Sequence, residues 1–222
     1  MIKGFIFDLD GVITDTAELH FIAWKEIVKK LNIDYKKEDN EKLKGLSRLD
    51  TLKAIINISK NKLALTDEQL ASICEEKNEF YKKLLQTHIN KNSLLENIFS
   101  FISKAKSRNL KLAIASSSHN APTILEKLEI KHFFDFIVNP ANVKNGKPAK
   151  DIFIQAAQGL NLDPRECIGF EDAPAGVMAI KNANMIAVVI SQELDPTFKT
   201  ADLVVKSTKD LDLDFIMQKF AK

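Results

Sequence analysis

Residues 5–12 read Phe-Ile-Phe-Asp-Leu-Asp-Gly-Val, and this stretch decides the fold. It belongs to a nearly continuous apolar run over residues 2–9, a pattern typical of a strand that is buried on both faces. Asp8, Asp10 and Gly11 stand where this strand passes into a loop. We therefore predict a buried strand whose carboxyl end presents two carboxylates.

Strands and helices alternate from about residue 91 onward. Apolar segments predict further strands at 111–115, 136–139, 167–170, 185–190 and 203–205. Helical segments are expected up to residue 109, from Pro122, after Pro148, from Ala175 and at the carboxyl terminus. Such alternation predicts an α/β fold, with a parallel sheet covered by helices on both sides.

Residues 16–90 show helical periodicity, for example at Phe21, Trp24 and Val28, without a convincing buried strand. We expect this segment to form an inserted helical cap domain. Residues 1–15 and 91–222 are then expected to form one Rossmann-like core domain.

Composition indicates an ordinary folded protein. The 222 residues are 45% hydrophobic and 28% charged, with seven glycines and six prolines, which excludes collagen-like and largely disordered chains. The net charge is +2 and no basic stripe is visible, so no nucleic-acid partner is expected.

The sequence shows neither a signal peptide nor a membrane-spanning segment, and both observations bear on the expected cellular location. Asp8 and Asp10 would interrupt a signal-peptide core, and the longest aliphatic run, 185–190, is far shorter than a membrane span. Cys74 and Cys167 are too few for a disulfide framework. We expect a cytoplasmic, monomeric protein with reduced thiols and no membrane association.

Chemistry-bearing residues follow the predicted strands. Because ligands of open parallel sheets bind beyond the carboxyl ends of the strands, these residues should share one site. In strand order they are Asp8 and Asp10, then Ser116, Ser117 and Ser118, then Lys147, then Glu171 and Asp172.

Four neighbouring carboxylates repel one another unless protons or a cation compensate, and their oxygens suit Mg²⁺. One aspartate could attack phosphorus while the other handles a proton, and a lysine with a small hydroxyl could clamp the phosphoryl oxygens. Taken alone, each motif has a structural explanation as a loop, a turn, a surface lysine or a helix start. Their joint position at strand ends favours a phosphoryl-transfer site.

These sequence motifs resemble those of the phosphatase-type branch of the haloacid dehalogenase superfamily, and the resemblance covers essentially the whole chain. The matching parts are residues 7–12, Ser116, the Lys147-Pro148 pair and residues 169–172, Gly-Phe-Glu-Asp. The resemblance implies a Rossmann-like core with an inserted cap, Asp8 as nucleophile and Asp10 as general acid/base. It also implies Mg²⁺ held by the Asp8 carboxylate, the Asp10 backbone carbonyl and Asp172, with Glu171 beside it.

A narrower resemblance is to the β-phosphoglucomutase family. It is carried by residues 14–18, Thr-Asp-Thr-Ala-Glu, with His20 and Trp24, and by residues 44–48, Lys-Gly-Leu-Ser-Arg. It implies a mutase that interconverts β-D-glucose 1-phosphate and glucose 6-phosphate, with an aspartyl-phosphate enzyme and glucose 1,6-bisphosphate as intermediate and activator. The partner would be a small sugar phosphate.

The same resemblance implies roles for the residues of these strings. Thr16 would lie at the hinge, and His20 would couple cap closure to the acid/base aspartate. The remaining substrate-binding candidates are Trp24, Lys44, Gly45, Ser47 and Arg48 in the cap, and Ser118, His119 and Asn120 in the core loop that meets the phosphate not being transferred.

Several of these residues also have a structural interpretation. Trp24 is better explained as cap core, whereas a functional role is favoured for His20. Ser47, with Asp50, could cap the following helix, with Arg48 as a solvated first-turn residue.

The chain departs from the family pattern at two positions. His119 stands where the family usually has lysine, and Ala173 stands where serine is common. Near neutral pH an unperturbed histidine is mostly uncharged, so Arg48 would carry most of the charge at the distal phosphate.

Two other functions are considered. A sugar-phosphate phosphatase would use the same phosphoenzyme with water as acceptor, depending on how well cap closure excludes water. A catalytically silent binding domain is disfavoured because every chemical position is filled.

Overall fold

A parallel sheet forms the centre of the protein. The computed structural model describes residues 1–59, 63–192 and 195–221. In these ranges six parallel strands have the order β3-β2-β1-β4-β5-β6. They are β1 (Gly4–Phe7), β2 (Lys111–Ile114), β3 (Phe136–Ile137), β4 (Cys167–Glu171), β5 (Ile186–Ile190) and β6 (Leu203–Val205).

The register of β1 determines where the site forms. Phe7 pairs with Ile114 of β2 and with Phe170 of β4. The residues that follow these strands therefore emerge side by side at one edge of the sheet. The predicted α/β fold is confirmed, although β1 is shorter than the apolar run because the Leu9 carbonyl accepts turn hydrogen bonds from Ile13 and Thr14.

Helices cover both faces of the sheet, which explains why β1 is apolar throughout. Phe5 and Phe7 pack on one face, while Ile6 packs on the other. The first face is covered by α5 (Ile98–Ser107), α6 (Ala121–Lys127) and α9 (Leu213–Lys219), and the second by α7 (Asp151–Gly159) and α8 (Pro174–Asn182).

Four helices follow β1 and are called the cap helices here. They are α1 (Ala17–Lys29), α2 (Lys37–Lys42), α3 (Arg48–Ile58) and α4 (Asp67–His88). Trp24, Leu52 and Ile55 belong to their own apolar cluster, whereas Tyr81 and Leu85 of α4 pack into the main core. The helix α4 thus belongs to both packing units.

The division into core and cap at residues 16 and 90 remains a proposal. Residues 60–62, 193–194 and 222 fall within the predicted domains but outside the described residues. Among the described residues, no helix has the length and apolar character needed to cross a membrane. Cys74 and Cys167 are both free and buried.

Candidate active site

A buried lysine joins two of the predicted carboxylates. Lys147 Nζ donates to Asp8 Oδ1 at 2.5 Å and also to Glu171 Oε1. Burial alone would lower the pKa of Lys147, but the charges of Asp8 and Glu171 outweigh burial and raise it. Lys147 therefore stays positively charged while it contacts Asp8.

Asp8, Glu171 and Asp172 bring carboxylate oxygens within 4.8 Å of one another. Burial raises the pKa of Asp8 to about 7, although Lys147 opposes this shift. Burial, followed by the charges of Glu171 and Asp8, raises the pKa of Asp172 well above its usual value. When all three are ionised, these carboxylates carry more negative charge than Lys147 balances.

This cluster fits a magnesium ion. The Asp172 carboxylate accepts no hydrogen bond from the described residues, so its oxygens are available to a cation. Carboxylate oxygens are the ligands that Mg²⁺ prefers. The Asp10 carboxylate lies outside the cluster, so ligation through its backbone carbonyl remains a prediction.

Asp10 belongs to a second group of hydrogen-bonded side chains. Its Oδ1 accepts a hydrogen bond from Thr16, which in turn accepts one from Tyr81 at 2.9 Å. His20 Nε2 lies 3.8 Å from Asp10 Oδ2, and Lys77 Nζ lies 2.7 Å from His20 Nδ1. Burial raises the pKa of Asp10, which favours the protonated form that a general acid requires.

The protonation of His20 follows from its neighbours. Burial is the main cause that lowers the pKa of His20 well below its usual value, and the charges of Lys77 and Arg48 lower it further. A neutral His20 that accepts a hydrogen bond from Lys77 at Nδ1 carries its proton on Nε2. That proton then faces Asp10.

A cavity of about 270 Å³ opens between the cap helices and the sheet edge. It brings together most of the predicted residues from both sides. Those that line it are Asp8, Asp10, His20, Trp24, Lys44, Gly45, Arg48, Ser116, Ser118, Asn120 and Asp172.

Five predicted residues do not line this cavity. Thr16 and Glu171 are fully buried: Thr16 contacts the lining residue Asp10, and Glu171 contacts Lys147, which contacts the lining residue Asp8. Ser47, His119 and Lys147 instead line a neighbouring cavity of about 670 Å³. The role of His119 at a distal phosphate therefore remains a prediction. Burial is the main cause that lowers the pKa of His119, and the charge of Arg48 lowers it further.

The structural interpretations of Ser47 and Trp24 agree with the geometry. Ser47 Oγ accepts from the Asp50 backbone N–H at 3.2 Å and caps α3. Trp24 is buried in the cap cluster, and it also borders the cavity. Arg48 is not simply solvated, because its guanidinium donates to Asn78 Oδ1 at 2.9 Å.

Sequence reasoning missed Lys77, Asn78 and Tyr81, which all line the cavity from α4. A signal was present for Lys77. Its position continues a buried stripe of that helix, which runs Leu70, Cys74, Lys77, Tyr81, Leu85. A lysine in such a stripe indicates a buried cation, and the structure leaves it 2% exposed. Asn78 carries no comparable signal.

Comparisons with known proteins agree with this geometry. The family model described as haloacid dehalogenase-like hydrolase matches residues 5–190. A Bacillus subtilis protein named beta-phosphoglucomutase is 41% identical over 218 residues, covering 98% of this chain and 95% of its own. The crystal structure of beta-phosphoglucomutase from Clostridium difficile has a TM-score of 0.95 and 42% identity, covering 100% of this chain and 98% of that one.

A phosphatase is also among the relatives. The fructose-1-phosphate phosphatase YqaB of Escherichia coli is 31% identical over 185 residues, which cover 83% of this chain and 94% of that protein. The matches to mutases extend over nearly the full length of the chain.

Proposed function

Because this chain belongs to the haloacid dehalogenase-like hydrolase family, we propose that it interconverts β-D-glucose 1-phosphate and glucose 6-phosphate through glucose 1,6-bisphosphate. It is an enzyme of the phosphotransferase or isomerase type. Enzymes of this family use Mg²⁺. The cytoplasmic location and monomeric state expected from the sequence remain predictions.

One observation supports the proposal, namely that a single cavity is lined both by the nucleophile candidate Asp8 and by Arg48 of the cap helices. Asp8 and Ser116 line it from the core, and Lys147 donates a hydrogen bond to Asp8. Arg48 and Lys77 come from the cap helices. A mutase must hold one phosphate at the nucleophile and a second phosphate away from it, whereas phosphate removal requires only the first.

In the proposed reaction, an Asp8 oxygen forms a bond to phosphorus while the bond from phosphorus to the sugar oxygen breaks. Asp10 protonates that departing oxygen and later removes the proton from the sugar hydroxyl that attacks the aspartyl phosphate. Lys147 and Ser116 balance charge on the phosphoryl oxygens. Mg²⁺ bound by Asp8, the Asp10 carbonyl and Asp172 would neutralise further negative charge there.

The bisphosphate would turn around between the two half-reactions. Lys44 and Gly45 would contact the sugar, and Thr16 would act at the hinge of the cap. Ser117 Oγ donates to the Gly45 carbonyl at 3.2 Å, which joins the cap loop to the core. Closure of this kind excludes water and favours a sugar hydroxyl as acceptor.

A sugar-phosphate phosphatase is the alternative. The similarity to the Escherichia coli fructose-1-phosphate phosphatase supports it. Both functions use the same phosphoenzyme, so they differ only in the acceptor.

The deciding experiment supplies β-glucose 1-phosphate, Mg²⁺ and catalytic glucose 1,6-bisphosphate, and it follows glucose 6-phosphate and inorganic phosphate together. We expect glucose 6-phosphate to form much faster than phosphate. α-Glucose 1-phosphate and fructose 1-phosphate serve as substrate controls. Release of one phosphate for each β-glucose 1-phosphate consumed would support the phosphatase instead.

A further inference from the structure

Asn78 connects a cap arginine to a core amide. Its Oδ1 accepts from Arg48 Nη2 and from Asn120 Nδ2, each at 2.9 Å. Arg48 begins α3, Asn78 belongs to α4, and Asn120 immediately precedes α6 of the core. One carbonyl oxygen thus joins two cap helices and a core loop.

Arg48 determines the orientation of both amides. A guanidinium can only donate hydrogen bonds, so the Asn78 atom beside it must be the oxygen. That oxygen can only accept, so Asn120 must present its nitrogen. The direction of each amide is therefore a consequence of the arginine.

The remaining polar atom of Asn78 is a donor, Nδ2, to which no described residue offers an acceptor. Asn78 is 7% exposed and lines the cavity. Within the described ranges its Nδ2 makes no hydrogen bond. Because Asn78 lines the cavity, this donor is open to a ligand there, and a phosphate group offers only acceptor oxygens.

We propose that Asn78 binds and positions the phosphate that is not being transferred: its Oδ1 aligns Arg48 and Asn120 across the cap and core, and its Nδ2 donates to the phosphate. This proposal rests on the proposed function for the identity of the ligand. It adds a residue of α4 to a site otherwise built from α3 and the loop after β2.

The test compares Asn78→Ala and Asn78→Asp with the wild-type protein. Aspartate is nearly isosteric and retains an acceptor for Arg48 and Asn120, but it removes the donor and adds a negative charge. Binding of glucose 6-phosphate is measured by calorimetry, hydrolysis of acetyl phosphate by phosphate release, and folding by thermal melting. Gln86→Ala removes an exposed amide from the same helix and is the matched control.

We expect both variants to bind glucose 6-phosphate roughly tenfold more weakly or worse, the loss expected for a buried hydrogen bond to a charged group. Hydrolysis of acetyl phosphate, which has no second phosphate, should stay near the wild-type rate. Asn78→Asp should also melt near the wild-type temperature, so its weaker binding would not reflect unfolding.

Two results would overturn the proposal. Wild-type affinity in Asn78→Asp would show that Nδ2 donates nothing to the ligand, and Asn78 would then only connect the cap to the core. An equal loss of acetyl phosphate hydrolysis and sugar-phosphate binding would place the defect at the nucleophile. Failure of the wild-type protein to form glucose 6-phosphate in the mutase assay would refute the proposed function separately, because the binding comparison needs no turnover.

Discussion

At the scale of single residues, burial opposes the charges that the chemistry needs. It raises the pKa of Asp8 and so opposes ionisation of the nucleophile. Lys147 opposes that shift. A bound cation would favour the ionised nucleophile further.

Asp8→Asn is expected to keep its fold and to lose phosphoryl transfer. An amide cannot form the covalent intermediate, so turnover should fall on the order of 10⁴-fold or more. Lys147 retains Glu171 as its partner, so the melting temperature should change little. Steady-state kinetics and thermal melting check this, with exposed Asp34→Asn as the control for the same chemical change. Turnover near the wild-type rate would contradict the assignment of Asp8 as nucleophile.

The burial of Lys77 lowers the free energy of unfolding by an amount that depends on pH. Burial, followed by the charge of Arg48, lowers its pKa from 10.5 to about 7. Below that pH the folded protein holds a buried ammonium that the unfolded chain keeps in water. This loss of stability is greatest below pH 7. It disappears as the pH rises toward 10.5, because Lys77 then becomes neutral in the unfolded chain as well.

Lys77→Met should therefore raise the free energy of unfolding most at low pH. The gain should be a few kcal/mol at pH 6, at roughly 1.4 kcal/mol per pKa unit, and should shrink by pH 9.5. Urea unfolding of the ligand-free protein at both pH values measures it. Lys82→Met removes an exposed lysine from the same helix and should show no such dependence. A gain that is independent of pH would contradict a depressed pKa for Lys77.

At the scale of secondary-structure elements, the start of α8 packs closely against the end of β4. A Cβ built on Gly176 would lie 1.7 Å from Glu171 Oε1, the oxygen that accepts from Lys147. Glu171 Oε2 also accepts from the backbone N–H groups of Asp172 and Ala173. The glycine is thus required for the carboxylate to reach the lysine.

Gly176→Ala should displace Glu171 and destabilise the fold by roughly 1–3 kcal/mol, as overpacking does. Activity should fall with it, because Lys147 would lose one of its two partners. Chemical unfolding and turnover check the two effects. Gly146→Ala is the stability control, since its new methyl would meet Asp50 Oδ2 at an ordinary 3.4 Å. Wild-type stability in Gly176→Ala would show that α8 can move away at little cost.

The ends of β1 and β4 together form the proposed magnesium site. Removing Mg²⁺ with a chelator should abolish activity, and restoring it should also raise the melting temperature, because a ligand bound to the folded state stabilises it. Asp172→Ala should raise the Mg²⁺ concentration for half-maximal activity roughly tenfold or more. Titrations of activity and melting temperature measure both effects. Full activity in metal-free buffer is the outcome that excludes this site.

At the scale of the whole molecule, the cavity exists only because the cap helices lie over the edge of the sheet. Asp8 and Ser116 of its lining come from the core, whereas Arg48 and Lys77 come from the cap. The contributions of the core and of the cap can therefore be tested separately.

Arg48→Ala should reduce mutase turnover on the order of 10- to 100-fold, the loss expected for a hydrogen bond to a charged group. Hydrolysis of acetyl phosphate should change much less, because that substrate has no second phosphate. Parallel kinetics with both substrates make the comparison, and Arg165→Ala removes an exposed arginine as the control. Equal losses in the two reactions would mean that the distal site is misplaced, and would favour the phosphatase.

The order of elements and the residues at the strand ends could be predicted from the sequence alone. Buried parallel strands are recognisable as apolar runs, and their carboxyl ends must meet at one edge of the sheet. Asp8, Ser116, Lys147 and Asp172 could thus be assigned to one region without coordinates.

Only the tertiary structure decided what the cap contributes. Lys77 and Asn78 face the cavity because α4 spans both packing units, while His119, next to Asn120 in sequence, lines the neighbouring cavity. These outcomes depend on how α4 packs against the loop after β2, where Asn78 contacts Asn120, 42 residues later in the sequence. Local periodicity carries no information about such packing, because it records which side of a helix is buried but not what buries it.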